Sequence, residues 1–332
     1  MLRGDFEAQW YLIGQVAGFE FDGVSLNIDF EGDGWFVDNV VHDADHGPVL
    51  HSDHHWVDLV NNDLYDLDGP GFTIENAYET NIELQTIQNV KGYGISIESD
   101  LRDLIKDVHI SGVVASADGP GDGFVVETSN RFEWLYGNEI YETDGYPLRL
   151  KDPSSLANLL QAQTMVFADN AQNAIAFDFP VLNVSTIIQL SDKGAAYDFL
   201  GDMQIDSGMQ TAGAGVEFRF AGGARLQVSS GMFSADGASF DAIDPAEPWD
   251  GIWQQTGAVV SVLNSSFDHG DSVFIHYESP PSQWGFKYNE LGAVNGYGVS
   301  CDGGCDWDST NTGLLIGDNV WTGPFGLGAF EY

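Results

Sequence analysis

The sequence predicts an all-β protein that folds as a single parallel β-helix, a solenoid of about 12 coils built from short strands. Two observations support this fold class. A corner of the form glycine-x-glycine recurs along the 332-residue chain, and an apolar-x-apolar strand follows each clear copy of it. No segment carries the period of an amphipathic helix, so the repeating unit consists of strands and corners alone.

The recurring corner organises most of the chain. In the clear copies, the residue that precedes the strand is Gly71, Gly94, Gly123, Pro147, Gly215 or Gly298. Weaker copies extend this series to Gly18, Gly47, Ala174, Gly194, Gly237 and Ser272. Glycine permits a positive φ where the chain turns sharply, and a period of two residues is that of a strand with one buried face. Stacking such units buries a continuous core in which each coil contacts only its neighbours.

The spacing of the corners predicts the domain organisation. We assign residues 1–17 to an N-terminal cap, or to the remnant of a longer chain, and residues 18–332 to the β-helix. The longer intervals predict loop insertions near residues 100–120, 241–270 and 276–295. In solenoids such insertions cluster on one face, which is often the binding face. The two cysteines, Cys301 and Cys305, form either one local disulfide or two free thiols.

The charge balance is extreme. The chain has 51 acidic and 11 basic residues, which gives a formal net charge of −40. Such a surface repels itself at low ionic strength, whereas molar salt shortens the Debye length to roughly 3 Å and screens the repulsion. The surface resembles that of salt-adapted, haloarchaeal-type proteins; the alternative is an ordinary acidic extracellular protein that binds calcium. The charge excludes nucleic acid as a partner, and the lack of a long apolar run predicts no membrane span.

The coil length and the glycine corners, from about Gly18 to Gly326, resemble those of the right-handed parallel β-helix proteins of the pectate-lyase-like superfamily. That group includes polysaccharide lyases, polygalacturonases, uronan epimerases and viral tailspikes. The resemblance implies a right-handed helix, an extended glycan as the ligand and, in spikes, a homotrimer or a place in a larger assembly. The signatures Asn-Thr-Asp, Gly-His-Gly and Asp-Pro-His of its enzymes are absent from this chain, so the resemblance names no single activity.

A row of charged residues follows equivalent strands and is predicted to stack up the solenoid. It contains Glu75, Glu98, Glu127 and Lys151, with Arg149 alongside. In the functional interpretation, Arg149 neutralises the carboxylate of an acidic sugar and Lys151, its pKa lowered by burial, abstracts the adjacent proton. Glu98 and Glu127 then act as acid or hold Ca²⁺, or serve as acid and base of a hydrolase, while Glu75 contacts the substrate. The alternative is a solvated charge ladder, the default product of such a repeat.

Histidines and aspartates concentrate in one early stretch. The residues that could hold a divalent metal are His42, Asp45, His46, His51 and Asp53. Imidazole and carboxylate together suit Zn, Mn or Ni, although the spacing matches no defined zinc motif. The alternative is a polar loop whose histidines pair with nearby aspartates. No cofactor is required by the sequence; Ca²⁺ or another divalent metal is the one candidate.

Aromatic residues supply candidate platforms for sugar rings. Trp134 and Tyr146 lie near the strand that carries Arg149, and Trp249 and Trp253 lie in a proline-bounded loop. Because connecting loops run over the surface, the loop pair is the better candidate for an exposed platform. Trp134 is expected to lie partly in the core.

Two functional classes are open. The first is an extracellular protein that binds, or as a polysaccharide lyase or glycoside hydrolase cleaves, an acidic polysaccharide at high salt. The second is a non-catalytic spike, tail fibre or capsid appendage of a virus of a halophilic host, or a surface adhesin, that binds host glycan. Both place the chain outside the cell, on a cell surface or on a virion. The basic pair Arg149 and Lys151 favours the first class, and the start of the chain, which lacks a signal peptide, favours the second.

Overall fold

The computed structural model of the chain describes residues 2–128, 132–152, 166–184, 187–192, 194–278, 285–302, 319–324, 326 and 328–330. Within these ranges the protein has strands, turns and loops but no helix, and its parallel strands form a β-solenoid of about 11 turns. The all-β parallel β-helix is thereby confirmed, whereas its right-handed winding stays a prediction. No helix in the described ranges could cross a membrane.

The chain divides into two compact units, Met1–Ala176 and Phe177–Tyr332. The strands of the first unit are β1 (Leu2–Ala17), β2 (Glu20–Val37), β3 (Val40–His42), β4 (Val49–Ser52), β5 (Trp56–Val60), β6 (Asp63–Tyr65), β7 (Phe72–Glu83), β8 (Thr86–Lys91), β9 (Tyr93–Lys106), β10 (His109–Val114), β11 (Asp122–Thr128), β12 (Phe132–Trp134), β13 (Glu139–Thr143), β14 (Leu148–Leu150), β15 (Val166–Ala168) and β16 (Ala174–Phe177), which ends on the first residue of the second unit.

The strands of the second unit are β17 (Val181–Val184), β18 (Ile187–Leu190), β19 (Ala196–Phe199), β20 (Asp202–Ile205), β21 (Met209–Ala212), β22 (Glu217–Phe220), β23 (Leu226–Val228), β24 (Met232–Asp236), β25 (Ser239–Ala242), β26 (Ile252–Gln254), β27 (Val259–Leu263), β28 (Ser266–Phe267), β29 (Val273–Tyr277), β30 (Gly285–Lys287), β31 (Glu290–Leu291), β32 (Tyr297–Cys301), β33 (Val320–Trp321) and β34 (Gly328–Phe330). The predicted domain boundary after residue 17 and the loop insertions stay predictions, and strands occupy part of each predicted insertion. Cys301 is disulfide-bonded, and Cys305 lies outside the described residues.

Parallel stacks of strands wind through each unit. In the first unit one stack contains β2, β3, β6, β8, β10, β13 and β15, a second contains β2, β4, β7, β9, β11 and β14, and a third contains β2, β5, β7, β9 and β12. The long strands β2, β7 and β9 pass round a corner and so serve more than one stack. In the second unit the stacks are β17-β20-β23-β26-β29-β32-β34, β18-β21-β24-β27-β30 and β19-β22-β25-β28-β31-β33.

The apolar-x-apolar pattern forms the core of each unit. In the first unit the second apolar residue of each apolar-x-apolar segment occupies one register row. All members of this row are buried: Leu50, Ile74, Ile97, Val126 and Leu150. In the second unit the corresponding row is aromatic. Ring centroids are 5.1 Å apart between Phe218 and Phe240 and 4.7 Å apart between Phe240 and Phe267, close to the spacing of neighbouring strands.

In the corners Gly92-Tyr-Gly94 and Gly121-Asp-Gly123 the two glycines have different roles. The first, Gly92 or Gly121, adopts φ +87 and so needs the conformational freedom of glycine. The second stands where successive coils approach closely: a Cβ on Gly94 would overlap the carbonyl oxygen of Gly123, and one on Gly71, in an earlier corner, would overlap that of Gly94. In these two corners a positive φ therefore explains the first glycine, and steric exclusion between coils explains the second.

The predicted alignment of coils fails where the interval between corners is long. His51 pairs with Asp29 and not with Asp22, which pairs instead with His42. In the second unit, Phe240 pairs with Phe267, so the coil after Asp241 continues through β28 and not through the strand that contains His276. Each long interval contains a strand whose corner lacks the glycine motif.

The missed corners carry a buried amide ladder. Asn39 Nδ2 donates to Asn62 Oδ1 at 3.2 Å, and Asn62 Nδ2 donates to Gln85 Oε1 at 3.0 Å. These three side chains are 0–1% exposed. The residue before each of them has a positive φ of 55–57°, which turns the chain so that the amide points inward. Amide ladders of this kind satisfy buried backbone groups that no strand pairing reaches.

The same device continues in both units. Asn138 and Asn170 are buried and donate to the carbonyl oxygens of Ile105 and Ile140. In the second unit, Asn289 Oδ1 accepts from the Ser265 backbone N–H at 2.9 Å. A second type of corner therefore recurs in the described coils, in which a residue of positive φ precedes a buried Asn, Gln or Ser; at Asp107 the residue that follows is Val108.

Replacement of one ladder residue tests this account. Asn62→Ala removes the acceptor of the Asn39 backbone N–H and the donor to the Phe36 carbonyl oxygen, and leaves both groups buried. We expect the free energy of unfolding to fall by about 2–3 kcal/mol. The control is Asn81→Ala, whose side chain is half-buried and bonds Glu83 on its own strand; its effect should stay within about 0.5 kcal/mol. Equal effects in chemical denaturation would contradict a structural role for the ladder.

Candidate functional site

Arg149 and Tyr146, two predicted site residues, take part in a buried ion pair. Arg149 Nε donates to Asp122 Oδ2 at 2.5 Å, and its Nη2 donates to Oδ1 at 3.3 Å. Asp122 is fully buried and also accepts from the Tyr146 backbone N–H at 2.7 Å. The guanidinium lies over the Tyr146 ring, 5.1 Å from its centroid. Arg149 thus neutralises an internal carboxylate, and Tyr146, 8% exposed, has no open face for a sugar.

The charged row follows one stack of strands, as the sequence predicts. The strand register, however, shifts by one residue where β9 pairs with β11. Glu75, Glu98, Glu127 and Lys151 come directly after the buried register row of that stack. After Val126 the register slips, so that Glu98 lies opposite Thr128 and not opposite Glu127. A local irregularity of this kind re-aims side chains at the edge of a strand.

Within the row the side chains form ion pairs at the surface. Lys151 Nζ lies 2.8 Å from Glu127 Oε1, and these side chains are 37% and 38% exposed. Glu75 Oε2 lies 3.5 Å from His51 Nδ1. The lyase hypothesis needs a buried Lys151, and the structure places this ammonium in solvent beside a carboxylate. Exposed pairs of this type contribute about 0–1 kcal/mol and perform no chemistry on their own.

The predicted metal ligands do not converge. Of His42, Asp45, His46, His51 and Asp53, only His42 lies in a cluster of metal-ligand type, and its neighbours there are Asp22 and Asp43. His46 Nδ1 donates to the Gly47 carbonyl oxygen, and His51 pairs with Glu75 one coil away. Asp45 and Asp53 are exposed. The spacing along the chain did not predict this cluster, because Asp22 lies beside His42 through strand pairing and not through proximity in sequence.

His42 is nonetheless held in a defined environment. It is 9% exposed, its ring stacks on Tyr65 at a centroid distance of 4.9 Å, and its Nδ1 lies 2.7 Å from Asp43 Oδ2. Burial alone would lower the pKa of His42, but hydrogen bonds to Asp43 and Glu20 and the nearby charge of Asp22 outweigh it and raise the pKa above the usual value. The three carboxylates around His42 therefore favour the protonated form of its imidazole.

Trp249 does not lie on an exposed loop. Its ring is fully buried, stacks on Phe220 at 4.9 Å between centroids, and donates from Nε1 to the Asp268 carbonyl oxygen at 2.9 Å. The prediction of a sugar platform at Trp249 is therefore wrong, because the aromatic column of the second unit extends beneath the proline-bounded loop. The side chain of Trp134 lies outside the described part of the structure; its backbone pairs with Ile105.

Trp253 is partly exposed and has two close neighbours. The Arg225 guanidinium lies 5.1 Å from its ring centroid, and the His276 ring lies 4.3 Å away. Its Nε1 donates to the Asp250 carbonyl oxygen at 2.7 Å. His276 Nδ1 in turn shares a hydrogen bond with Ser300 Oγ at 2.7 Å. Trp253 therefore belongs to a packed row of side chains, and its role as a sugar platform stays a prediction.

The second unit contains an open groove that the sequence did not predict. It consists of two overlapping stretches of about 340 and 290 Å³ that share Glu217, Ser239, Ser266 and Glu290. These four residues occupy one register row on β22, β25, β28 and β31. Tyr288 lines the groove and is 62% exposed, and Asn264 lies beside it. Carboxylates, hydroxyls, an amide and an exposed aromatic face thus meet along a shallow channel.

A second row of polar residues lines the same groove. Asp241 and Asp268 lie on neighbouring coils, and His269 Nδ1 lies 2.7 Å from Asp241 Oδ1. Asp268 Oδ1 accepts from the backbone N–H groups of His269 and Ala293 at 2.9 and 2.8 Å. Both carboxylates are therefore oriented by the protein itself, and Glu217 and Glu290 provide the freely presented acidic groups.

A sequence signal for the groove exists in retrospect. Its row occupies the residue just before an inward-pointing aromatic or leucine: Glu217 before Phe218, Ser239 before Phe240, Ser266 before Phe267 and Glu290 before Leu291. The charged row of the first unit occupies a different position, the residue just after each apolar-x-apolar segment.

Comparison of the chain with protein-family models, with curated proteins and with solved structures found no match.

Variants at Arg149 and Lys151 separate an internal ion pair from a catalytic pair. Arg149→Met leaves the buried Asp122 carboxylate unneutralised, and we expect the free energy of unfolding to fall by about 3–5 kcal/mol. Lys151→Met should cost less than about 1 kcal/mol, because its ion pair is exposed. Adding Asp122→Asn to Arg149→Met should restore part of the loss. An Arg149→Met protein as stable as wild type in urea unfolding would show that this assignment is wrong.

Titration of His42 gives the stability a defined pH dependence. Because the folded-state pKa is raised, the stabilisation is complete below the unfolded-state value of about 6.5 and is lost as the pH rises through the folded-state value. The difference in free energy of unfolding between wild type and His42→Gln should therefore shrink as the pH rises above about 6.5. Urea unfolding over a pH series measures it, and a difference that grows with pH would contradict the assigned environment.

Proposed function

We propose that this chain is a β-solenoid that recognises an extended polysaccharide, and that the groove of the second unit is its binding surface. The observation that carries the proposal is the register row of Glu217, Ser239, Ser266 and Glu290, which runs along the floor of the groove beside the exposed ring of Tyr288. The β-solenoid fold is compatible with polysaccharide-binding and spike proteins.

The geometry suits a polymer. Parallel strands place one side chain of the row every ~4.8 Å, a spacing comparable to the advance of one sugar in an extended β-linked chain. Carboxylate oxygens accept hydrogen bonds from sugar hydroxyls, and the Ser239 and Ser266 hydroxyls both donate and accept. An exposed aromatic face such as that of Tyr288 packs against the apolar face of a sugar ring.

The charges of the groove favour a neutral or amine-bearing polymer over an acidic one. Among the described residues that line it, none is Lys or Arg. Arg149 and Lys151, on which the acidic-polysaccharide hypothesis depends, are engaged by Asp122 and Glu127 in the first unit. An acidic polymer would meet uncompensated carboxylates at both ends of the row, Glu217 and Glu290, and like charges repel.

We propose binding without cleavage. Glu217 and Glu290 are three strand spacings apart, roughly 14 Å, whereas the carboxylates of glycosidases lie about 5–9.5 Å apart. The closer pair, Asp241 and Asp268, is already engaged by His269 and by backbone N–H groups. Recognition without cleavage suits an adhesin or a spike on a cell surface or virion. The net charge of −40 supports a high-salt setting for either, because molar salt screens the self-repulsion.

A screen of polysaccharides in about 2–3 M KCl, where surface repulsion is screened, tests the proposal. We expect a ligand to appear among neutral or amine-bearing polymers, and Tyr288→Ala to weaken its affinity about tenfold, the value of one aromatic platform. The control is Tyr136→Ala in the first unit, a tyrosine that is 48% exposed and should leave binding unchanged. The proposal would be contradicted if no polysaccharide bound, or if Tyr288→Ala bound the ligand with the affinity of the wild type.

A further inference from the structure

We infer that the polymer bound in the groove carries primary amines, as in a glucosamine-type polysaccharide, and that two of these amines, three sugars apart, pair with Glu217 and Glu290. The inference rests on the proposed function and names the substrate class of the same site. It predicts a footprint of four sugars, one for each residue of the row Glu217–Ser239–Ser266–Glu290.

Among the described residues, some acidic groups lie close to a cation, and the two glutamates are not among these. Asp122 is paired with Arg149, Glu127 with Lys151 and Glu83 with Lys106. Glu217 and Glu290 are exposed, and within the described ranges neither has an ion pair with Lys, Arg or His. They are therefore carboxylates that a ligand can reach.

The nearest cation on the same strands is not available to them. Arg219, two residues after Glu217, donates from Nε to Asp198 Oδ1 at 2.6 Å and from Nη2 to Oδ2 at 2.8 Å. Asp198 is fully buried, so this bidentate pair compensates an internal charge. His269, which follows the groove residue Asp268 in the sequence, is bound to Asp241. Among the described residues, the protein therefore supplies no counter-ion at either end of the row.

The pattern of the row indicates where the amines lie. Strand pairing places Glu217 and Glu290 at the ends and Ser239 and Ser266 between them. With one sugar for each strand spacing and a three-fold twist, which returns the fourth sugar to the orientation of the first, the carboxylates face the first and fourth sugars and the hydroxyls face the second and third. An ammonium group has three donors and forms charge-assisted hydrogen bonds with a carboxylate, which are about twice as strong as neutral ones. An amide or hydroxyl at the same position forms only neutral-donor bonds.

The net charge of −40 attracts any polycation, so the experiment must separate the groove from the field of the whole protein. Working in about 2 M KCl suppresses the long-range field and leaves short contacts. Charge-matched variants complete the separation. Glu217→Gln with Glu290→Gln removes two charges from the groove, and Glu31→Gln with Glu247→Gln removes two exposed charges elsewhere.

Isothermal titration then compares glucosamine oligomers, from dimer to hexamer, with N-acetylglucosamine oligomers of the same lengths, at a pH below the pKa of the sugar amine. We expect the glucosamine tetramer to bind about tenfold more tightly than its acetylated counterpart, and affinity to level off beyond the tetramer. The Glu217→Gln/Glu290→Gln protein should lose this preference, and the Glu31→Gln/Glu247→Gln protein should keep it.

Three results would overturn the inference: equal binding of both series, a preference that survives in the groove variant, or equal losses in both variants. In the first case, binding of the acetylated series that still depends on Tyr288 would leave the proposed recognition of polysaccharide intact. If neither series nor any other polysaccharide binds, the inference and the proposed function fail together.

Discussion

Vertical stacking in parallel register is the constraint on which the rest of this structure depends. Each coil lies one strand spacing from the next, so every inward position must be compatible with a near copy of itself above and below. Apolar rows meet this condition readily, and so does the aromatic column from Phe218 to Phe267. Buried amides also meet it as ladders, in which an amide is both donor and acceptor, as Asn62 is between Asn39 and Gln85. Glycine is required where two coils touch, because a Cβ on Gly94 would overlap the next carbonyl group.

The same constraint explains how the few cations are used. The chain has 11 basic residues, and two of its arginines are committed to fully buried aspartates, Arg149 to Asp122 and Arg219 to Asp198. A buried carboxylate without a partner costs several kcal/mol, so these pairs are tied to the integrity of the coil. The surface is left with an excess of acidic groups. A positive residue in such a chain therefore does not identify a binding site for anions, whereas an unpaired carboxylate in a groove can identify one for cations.

Outward rows give the solenoid its functional potential. Residues between the core positions are free of packing demands, yet the strand register still places them in line at a regular spacing. In the proposed function, the row from Glu217 to Glu290 uses that regularity to face a repeating polymer, and the wall with Tyr288 adds an aromatic contact. The charged row of the first unit has the same origin but ends in surface ion pairs such as that of Lys151 with Glu127. One repeat thus generates both an open groove and a ladder of surface ion pairs.

The sequence by itself determined the coil: the two-residue alternation, the corner before Phe72, Ile95 and Phe124, and the all-β parallel solenoid that follows from them. These features are local, since a corner and the strand after it are encoded within a few residues. Only the tertiary structure decided the register across irregular intervals, because the amide corners at Asn39 and Asn62 carry no glycine signal. It also decided that Trp249 is core, that Arg149 serves Asp122, and that the row from Glu217 lines a groove. Burial and pairing depend on which coils become neighbours, and coil lengths that vary along the chain hide that information from any reading of spacing alone.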